Sequence, residues 1–174
     1  MKSAGLALAG LLCFSGAALA QDANPLTAAT KAQHDLISGN IVKAAAKMAE
    51  ADFAFAPTPD VRTFGRLIGH IANANYGICA MAAGEKSPAT SNIEQTATTK
   101  ADLVKALDEA LAYCNGVYAK MTDAAGIEKV KYYLGEHPKL TVLAFNNAHN
   151  MEHYGNIVTY MRIKGLVPPS SEGR

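Results

Sequence analysis

The chain has 174 residues, with 16 Lys and Arg against 15 Asp and Glu, a formal net charge of +1. That near-neutral balance offers no electrostatic grip on nucleic acid or an acidic membrane surface, so neither is expected as a partner. Aromatic residues make up 7%, Trp is absent and Ala is abundant, which favours a helical protein over a sheet protein.

The N-terminus, MKSAGLALAGLLCFSGAALAQ, has a basic Lys2, an apolar run from Leu6 to Leu19, and Ala18-Leu19-Ala20 before Gln21. This is the pattern of a secretory signal over 1–20, and it predicts an exported protein, periplasmic or extracellular. The run is shorter than the ~20 apolar residues a bilayer needs, and no stop-transfer cluster follows it. Bulky Leu12 before Cys13 argues against a lipoprotein signal. No stable membrane anchor is expected after cleavage. Residues 21–174 then form one domain of about 150 residues, long enough for a real core. Cys13 leaves with the signal, and Cys79 and Cys114 remain. In an oxidising compartment they are expected to form a disulfide if their helices are neighbours; otherwise they are two small buried thiols. Their spacing excludes a CxxC motif or a Cys-rich zinc site.

Four helices are predicted in chain order. The first covers 27–52, with Leu36, Ile41 and Met48 as apolar positions, and Pro57 and Pro59 follow it as breakers. The second covers 63–83, where Phe64, Leu67, Ile68, Ile71, Ala74, Ile78 and Met81 recur at helical spacing. Gly84 and Pro88 end it, and EKSPATSNIEQTATT is a polar loop. Thr99 caps the third helix in capping-box spacing with Asp102, and Leu103, Leu107, Leu111, Cys114, Val117 and Met121 form its seam. A short helical or turn piece is expected over 128–134. The fourth helix covers 139–164 and stops at Gly165, ahead of Pro168 and Pro169. Strand-like alternation of useful length is not evident. The expected fold is all-α, a four-helix bundle.

On a wheel of the fourth helix, His149 and His153 fall inside the apolar arc defined by Val142, Leu143, Phe145, Ile157, Val158, Tyr160, Met161 and Ile163. They are one turn apart, a spacing at which two side chains share one ion. His70 lies at the edge of the second helix's stripe. Three neutral imidazoles with a vacant position suit zinc first, with nickel, iron or manganese also accommodated. The alternative is three separately hydrogen-bonded core histidines. His34 could reach the mouth of the site, and His137 is expected in a surface loop. His149-Asn150-Met151-Glu152-His153 also fits the H-x-x-E-H peptidase pattern. That enzyme would need a further acidic ligand well downstream, and only Glu172 follows. The wheel also turns Glu152 away from the buried face.

The stretches PTPDVRTFGRLIGHIANANY and HNMEHYGNIVTYMRIKGLVPPS, carrying His70, His149 and His153, resemble the DinB/YfiT-like superfamily of metalloenzymes, the damage-inducible bundle family. The resemblance spans the chain after the signal. It implies an up-down-down-up bundle, a divalent metal on those histidines and a homodimer. Some members of that family are transferases or isomerases that use bacillithiol, mycothiol or glutathione in the cytoplasm, and an exported member departs from that setting.

Two readings of function follow. In one, the metal serves a transferase or hydrolase acting on an unidentified small molecule, with Asn73 and Asn146 orienting ligand or substrate. Arg66 is then a candidate for holding an anion and Tyr160 for reaching the site, each with an ordinary surface or packing role as the alternative. In the other reading, the protein is a non-catalytic metal- or ligand-binding bundle, and a fourth protein ligand would close the site.

Overall fold

The structure is a computed structural model that describes residues 23–133 and 135–173; the segment read as a signal lies outside them. Six helices and one small hairpin are present: α1 (Pro25–Lys47), α2 (Phe64–Ala83), α3 (Ile93–Thr96), α4 (Lys100–Lys120), α5 (Asp123–Gly126), β1 (Lys129–Tyr132), β2 (Gly135–Pro138) and α6 (Lys139–Ile163). The long helices α1, α2, α4 and α6 are the four expected ones, and the architecture is an all-α bundle with a minor hairpin. No helix among the described residues is long and apolar enough to cross a membrane.

End-to-end contacts give the topology. Lys100 Nζ at the start of α4 donates to the carbonyls of Ala46 and Met48 at the end of α1. Asp123, just after α4, accepts from the Leu26 and Thr27 amides at the start of α1. The Cβ position of Gly65, early in α2, lies 3.1 Å from Leu103 early in α4. Late in the same two helices, Cys79 and Cys114 are joined by a disulfide. So α2 and α4 run parallel, α1 runs against them, and α6 returns from the opposite end. This up-down-down-up order requires one long crossover from the end of α2 back to the start of α4. Gly84 begins it in the left-handed conformation, φ 74°, which caps α2. The crossover carries α3.

Local chemistry explains most boundaries. Thr63 caps α2 by accepting from the Arg66 amide. Thr99 caps α4 by accepting from the Asp102 amide, and its hydroxyl donates back to the Asp102 carboxylate. Two boundaries differ from the sequence expectation. The first helix stops at Lys47 rather than at 52, because Met48 turns to an extended conformation and a 3-10 turn over Glu50–Ala54 follows. That turn brings Phe53 inward to meet Phe64 edge-on, ring centres 5.1 Å apart. The piece after α5, expected as helical or a turn, is a hairpin: Lys129 to Tyr132 pair antiparallel with Pro138 to Gly135, with Tyr133 in the turn. Val130 and Tyr132 alternate with lysines, so the period-2 signal exists but is only four residues long. His137 stands in β2, half-buried, rather than in a surface loop.

Four apolar positions assigned to the core are on the outside. Leu36 is 67% exposed, Met81 38%, Phe145 36% and Ile163 55%. On α1 the inward face is instead His34, Ile37, Ser38, Ile41, Ala44 and Ala45. The core divides into two apolar clusters. One packs Ile41, Phe64, Ile71, Leu107, Ile157 and Met161; the other packs Ile78, Cys79, Cys114, Tyr118, Val142 and Leu143. Between them α6 turns Asn146, Asn147, Asn150 and His153 inward. A buried polar layer therefore crosses the middle of the bundle.

Candidate metal centre

The polar layer is organised by side-chain amides. Asn75 on α2 and Asn150 on α6 exchange hydrogen bonds of 3.0 and 3.1 Å, and Asn75 Nδ2 also donates to the Ile71 carbonyl. Asn146 donates to the same Asn75 Oδ1 at 3.1 Å. These bonds lock the rotation of α6 against α2, because a turned helix would strand buried amides at a cost of roughly 1–3 kcal/mol each. With that rotation set, His149 and His153 on α6 face His70 on α2.

The three rings meet through their Nε2 atoms. His70 Nε2 is 3.2 Å from His149 Nε2, and His153 Nε2 is 3.1 Å from the same atom. Two nitrogens that share one zinc ion at about 2.0–2.1 Å sit roughly 3 Å apart, so the spacing fits a common cation. Burial lowers the basicity of all three rings. His153 is pushed down to about 4, with the neighbouring His149 adding to the effect of burial. His70 and His149 are also lowered, first by burial and then by Arg62 and by His70 respectively. Three neutral imidazoles with convergent Nε2 atoms are suited to binding a borderline divalent metal.

Glu94 selects the tautomer of His70. Its Oε2 lies 3.3 Å from His70 Nδ1, while its Oε1 accepts from Arg62 Nε at 3.0 Å and from Arg66 at 3.2 Å. Burial works to raise the Glu94 pKa, but the Arg62 hydrogen bond and charge outweigh it and hold the carboxyl below its ordinary value. An ionised carboxylate only accepts, so Nδ1 of His70 carries the hydrogen and Nε2 presents its lone pair to the centre. This carboxylate–histidine arrangement orients metal-binding imidazoles.

Glu94 falls in the stretch that reads as a polar loop, EKSPATSNIEQTATT, where spacing assigns it no role. Three features seat it. Ile93 is buried as an anchor. Asn73 accepts from the Ile93 amide at 2.9 Å and donates to Asn92 at 2.7 Å, capping α3. Gly69 lets α3 approach α2 so closely that a Cβ there would meet the Glu94 Cα at 2.8 Å. Gly69→Ala is therefore expected to push α3 outward, cost about 1–3 kcal/mol, and weaken metal binding by detaching Glu94 from His70. Unchanged melting temperature and metal affinity would contradict this.

Asn73 positions α3 and does not reach the three rings. Asn146 belongs to the amide layer, donating also toward Tyr118 and Cys114. His34 is not at the mouth of the site: it is fully buried, stacked on Tyr118 with ring centres 4.2 Å apart. Glu152 is exposed, and Glu172 pairs with Lys47 at 2.7 Å, so no peptidase site forms. Arg66 binds Glu94, and the Tyr160 hydroxyl donates to the Arg62 carbonyl at 2.6 Å. Asn75 and Asn150 had a legible signal, since each continues the buried stripe of its helix with an amide.

The pKa depressions carry a sign. In the unfolded chain imidazoles protonate near 6.5, whereas folded His153 resists to about 4. Between those values the unfolded state binds more protons, so stability falls as pH falls. The lowered pKa of buried His34 acts in the same direction. Metal-free protein should keep this stability above pH 6.5 and lose it progressively toward about 4. Melting temperatures across that window check it; a flat profile would be the contrary result.

Among the described residues, His70, His149 and His153 are the one group of three or more His, Cys, Asp or Glu whose ligand atoms all lie within 4.8 Å of one another. A cleft of about 620 Å³ reaches His153 from the surface, between the 57–62 loop and α6. The arrangement is three nitrogen donors with an approach on one side.

Comparison with known proteins is consistent with this architecture. The model of the DinB superfamily matches residues 33–157. In fold, the chain is similar to a DinB-like protein from Bacillus cereus ATCC 10987 at 17% identity and TM-score 0.67, covering 76% of this chain and 89% of that one. A DinB-like protein from Bacillus subtilis, YjoA, gives 15% identity and TM-score 0.67 over 84% of this chain and 99% of that one. A mycothiol-dependent maleylpyruvate isomerase gives 15% identity and TM-score 0.63 over 78% of this chain and 65% of that one. No curated protein matches the chain.

Proposed function

Since this chain belongs to the DinB superfamily, we propose that it is an exported metal-dependent enzyme acting on a small molecule, with His70, His149 and His153 as the ligands. The observation that carries the reading is the convergence of three Nε2 atoms, those of His70 and His153 each 3.1–3.2 Å from that of His149 and all within 4.8 Å of one another. Zinc suits three imidazoles best, and nickel, iron or manganese fit the same donors. Bound there, the metal supplies Lewis acidity to a water, a thiol or a substrate oxygen.

The chain's own residues do the rest. Glu94 holds the proton on His70 Nδ1, and the Asn75–Asn150 pair keeps α6 in register. The 57–62 loop and α6 leave a path to His153. Among the described residues no fourth His, Cys, Asp or Glu joins the group, which favours an open centre over a closed structural one. A neighbour in fold is an isomerase that depends on mycothiol, which supports an enzymatic transferase- or isomerase-type role over simple metal storage. Export is supported by the N-terminal pattern and by the Cys79–Cys114 bridge.

The test is metal analysis of the protein purified without chelator or histidine tag, with melting curves before and after chelation. About one divalent ion per chain is expected. A ligand at 100 times its Kd adds about 2.7 kcal/mol of stability, so chelation should lower the melting temperature measurably. A metal-free protein that also takes up no added zinc, nickel, iron or manganese would end this reading.

A further inference from the structure

The cleft beside His153 is lined by two cations, Arg62 and Arg66, each paired with Glu94. Arg62 lines it together with Val61, Leu67, Asn156 and Thr159. The backbone of Arg62 is pinned by the Tyr160 hydroxyl on its carbonyl, 2.6 Å. Its guanidinium is pinned by Nε alone, which donates to Glu94 at 3.0 Å. The two terminal nitrogens have no partner among the described residues, although the side chain is 42% exposed and held at both ends. Arg62 is also close enough for its charge to depress the basicity of His70, His149 and His153 together. Glu94 also lines the cleft, and its charge is shared between Arg62, Arg66 and His70. Asp60 is the other acidic group of the lining, and it stands on the exposed outer lip.

We propose that this cleft takes a small carboxylic acid with an apolar body, whose carboxylate is received by the terminal nitrogens of Arg62 and whose other end reaches His153. A guanidinium fixed in place offers a planar fork that matches a carboxylate. Val61 and Leu67 supply apolar contact. Asn156 and Thr159 on α6, which also line the cleft, offer further hydrogen bonds. A cleft of about 620 Å³ is ample for such a molecule. The assignment rests on the functional reading above for what happens to the acid, but not for its binding, because Arg62 needs no metal to act.

The test uses the protein labelled with ¹⁵N, both metal-loaded and after chelation. It is titrated with butyrate and benzoate and with the neutral amides butyramide and benzamide. Shifts of the Arg62 Nε–H and of the Asn156 and Thr159 amides report occupancy. The acids should bind at least about tenfold more tightly than their amides. Arg62→Gln should remove that preference in both metal states, and Arg62→Lys should restore part of it. Equal affinity for acid and amide would overturn the assignment. So would a loss in Arg62→Gln seen only with the metal-loaded form and accompanied by loss of metal. A chain that holds no metal yet still selects acids through Arg62 would sink the metalloenzyme reading and uphold this one.

Discussion

His149→Ala is expected to reduce bound metal to background, and Glu94→Gln to retain one ion at 10- to 100-fold weaker affinity. The two results differ because the residues act differently. His149 supplies the nitrogen to which both other rings are nearest, at 3.2 and 3.1 Å. Without it two donors remain, on separate helices. Glu94 supplies no donor to the centre. It fixes the His70 tautomer through Nδ1 and raises the basicity of the ring, and Gln keeps an acceptor there but not the charge. Competition against a coloured chelator gives the affinities, and the metal-dependent rise in melting temperature gives a second readout. Equal metal in His149→Ala and the parent protein would refute the site. A Glu94→Gln chain with parental affinity would remove Glu94 from it while leaving the histidines.

Replacing both Cys79 and Cys114 by Ala is expected to cost about 3–4 kcal/mol, since the bridge spans 35 residues. In a chain of this size that corresponds to a fall in melting temperature on the order of 10 °C. The bridge ties the ends of parallel helices α2 and α4, which only the long crossover otherwise connects. Both sulfurs are buried, so reductant should act only once the protein is partly unfolded. The bridge lies in the cluster with Val142 and Leu143 and touches the amide layer through the 3.6 Å Asn146–Cys114 contact, so metal affinity should change far less than stability. Two free thiols in the unreduced protein, or an unchanged melting temperature in the double variant, would contradict the prediction.

Much of this molecule is legible in its residues one helix at a time. Helical periodicity is a local property, so the α2 stripe, the Thr99 capping box and the adjacency of His149 and His153 follow from spacing alone. The same local rule misled at Leu36, Met81, Phe145 and Ile163. Being apolar does not say which side of a helix faces the core when another side carries buried Asn, Ser and His. On α6 the inward residues between Leu143 and Ile157 are mostly polar, and the side-chain nitrogens of Asn146, Asn147 and Asn150 donate to partners on other helices. Pattern reading ranks such residues as surface.

The sequence by itself determined four helices, two cysteines on the second and third of them, and three histidines on buried faces of the second and fourth. Only the tertiary structure decided that Glu94 meets His70, that Arg62 faces a cleft beside His153, and that His34 stands apart against Tyr118. Those contacts join residues far apart in the chain. They depend on how the crossover returns over α2 and on how closely Gly69 lets it approach, quantities set by packing between elements and absent from any local pattern.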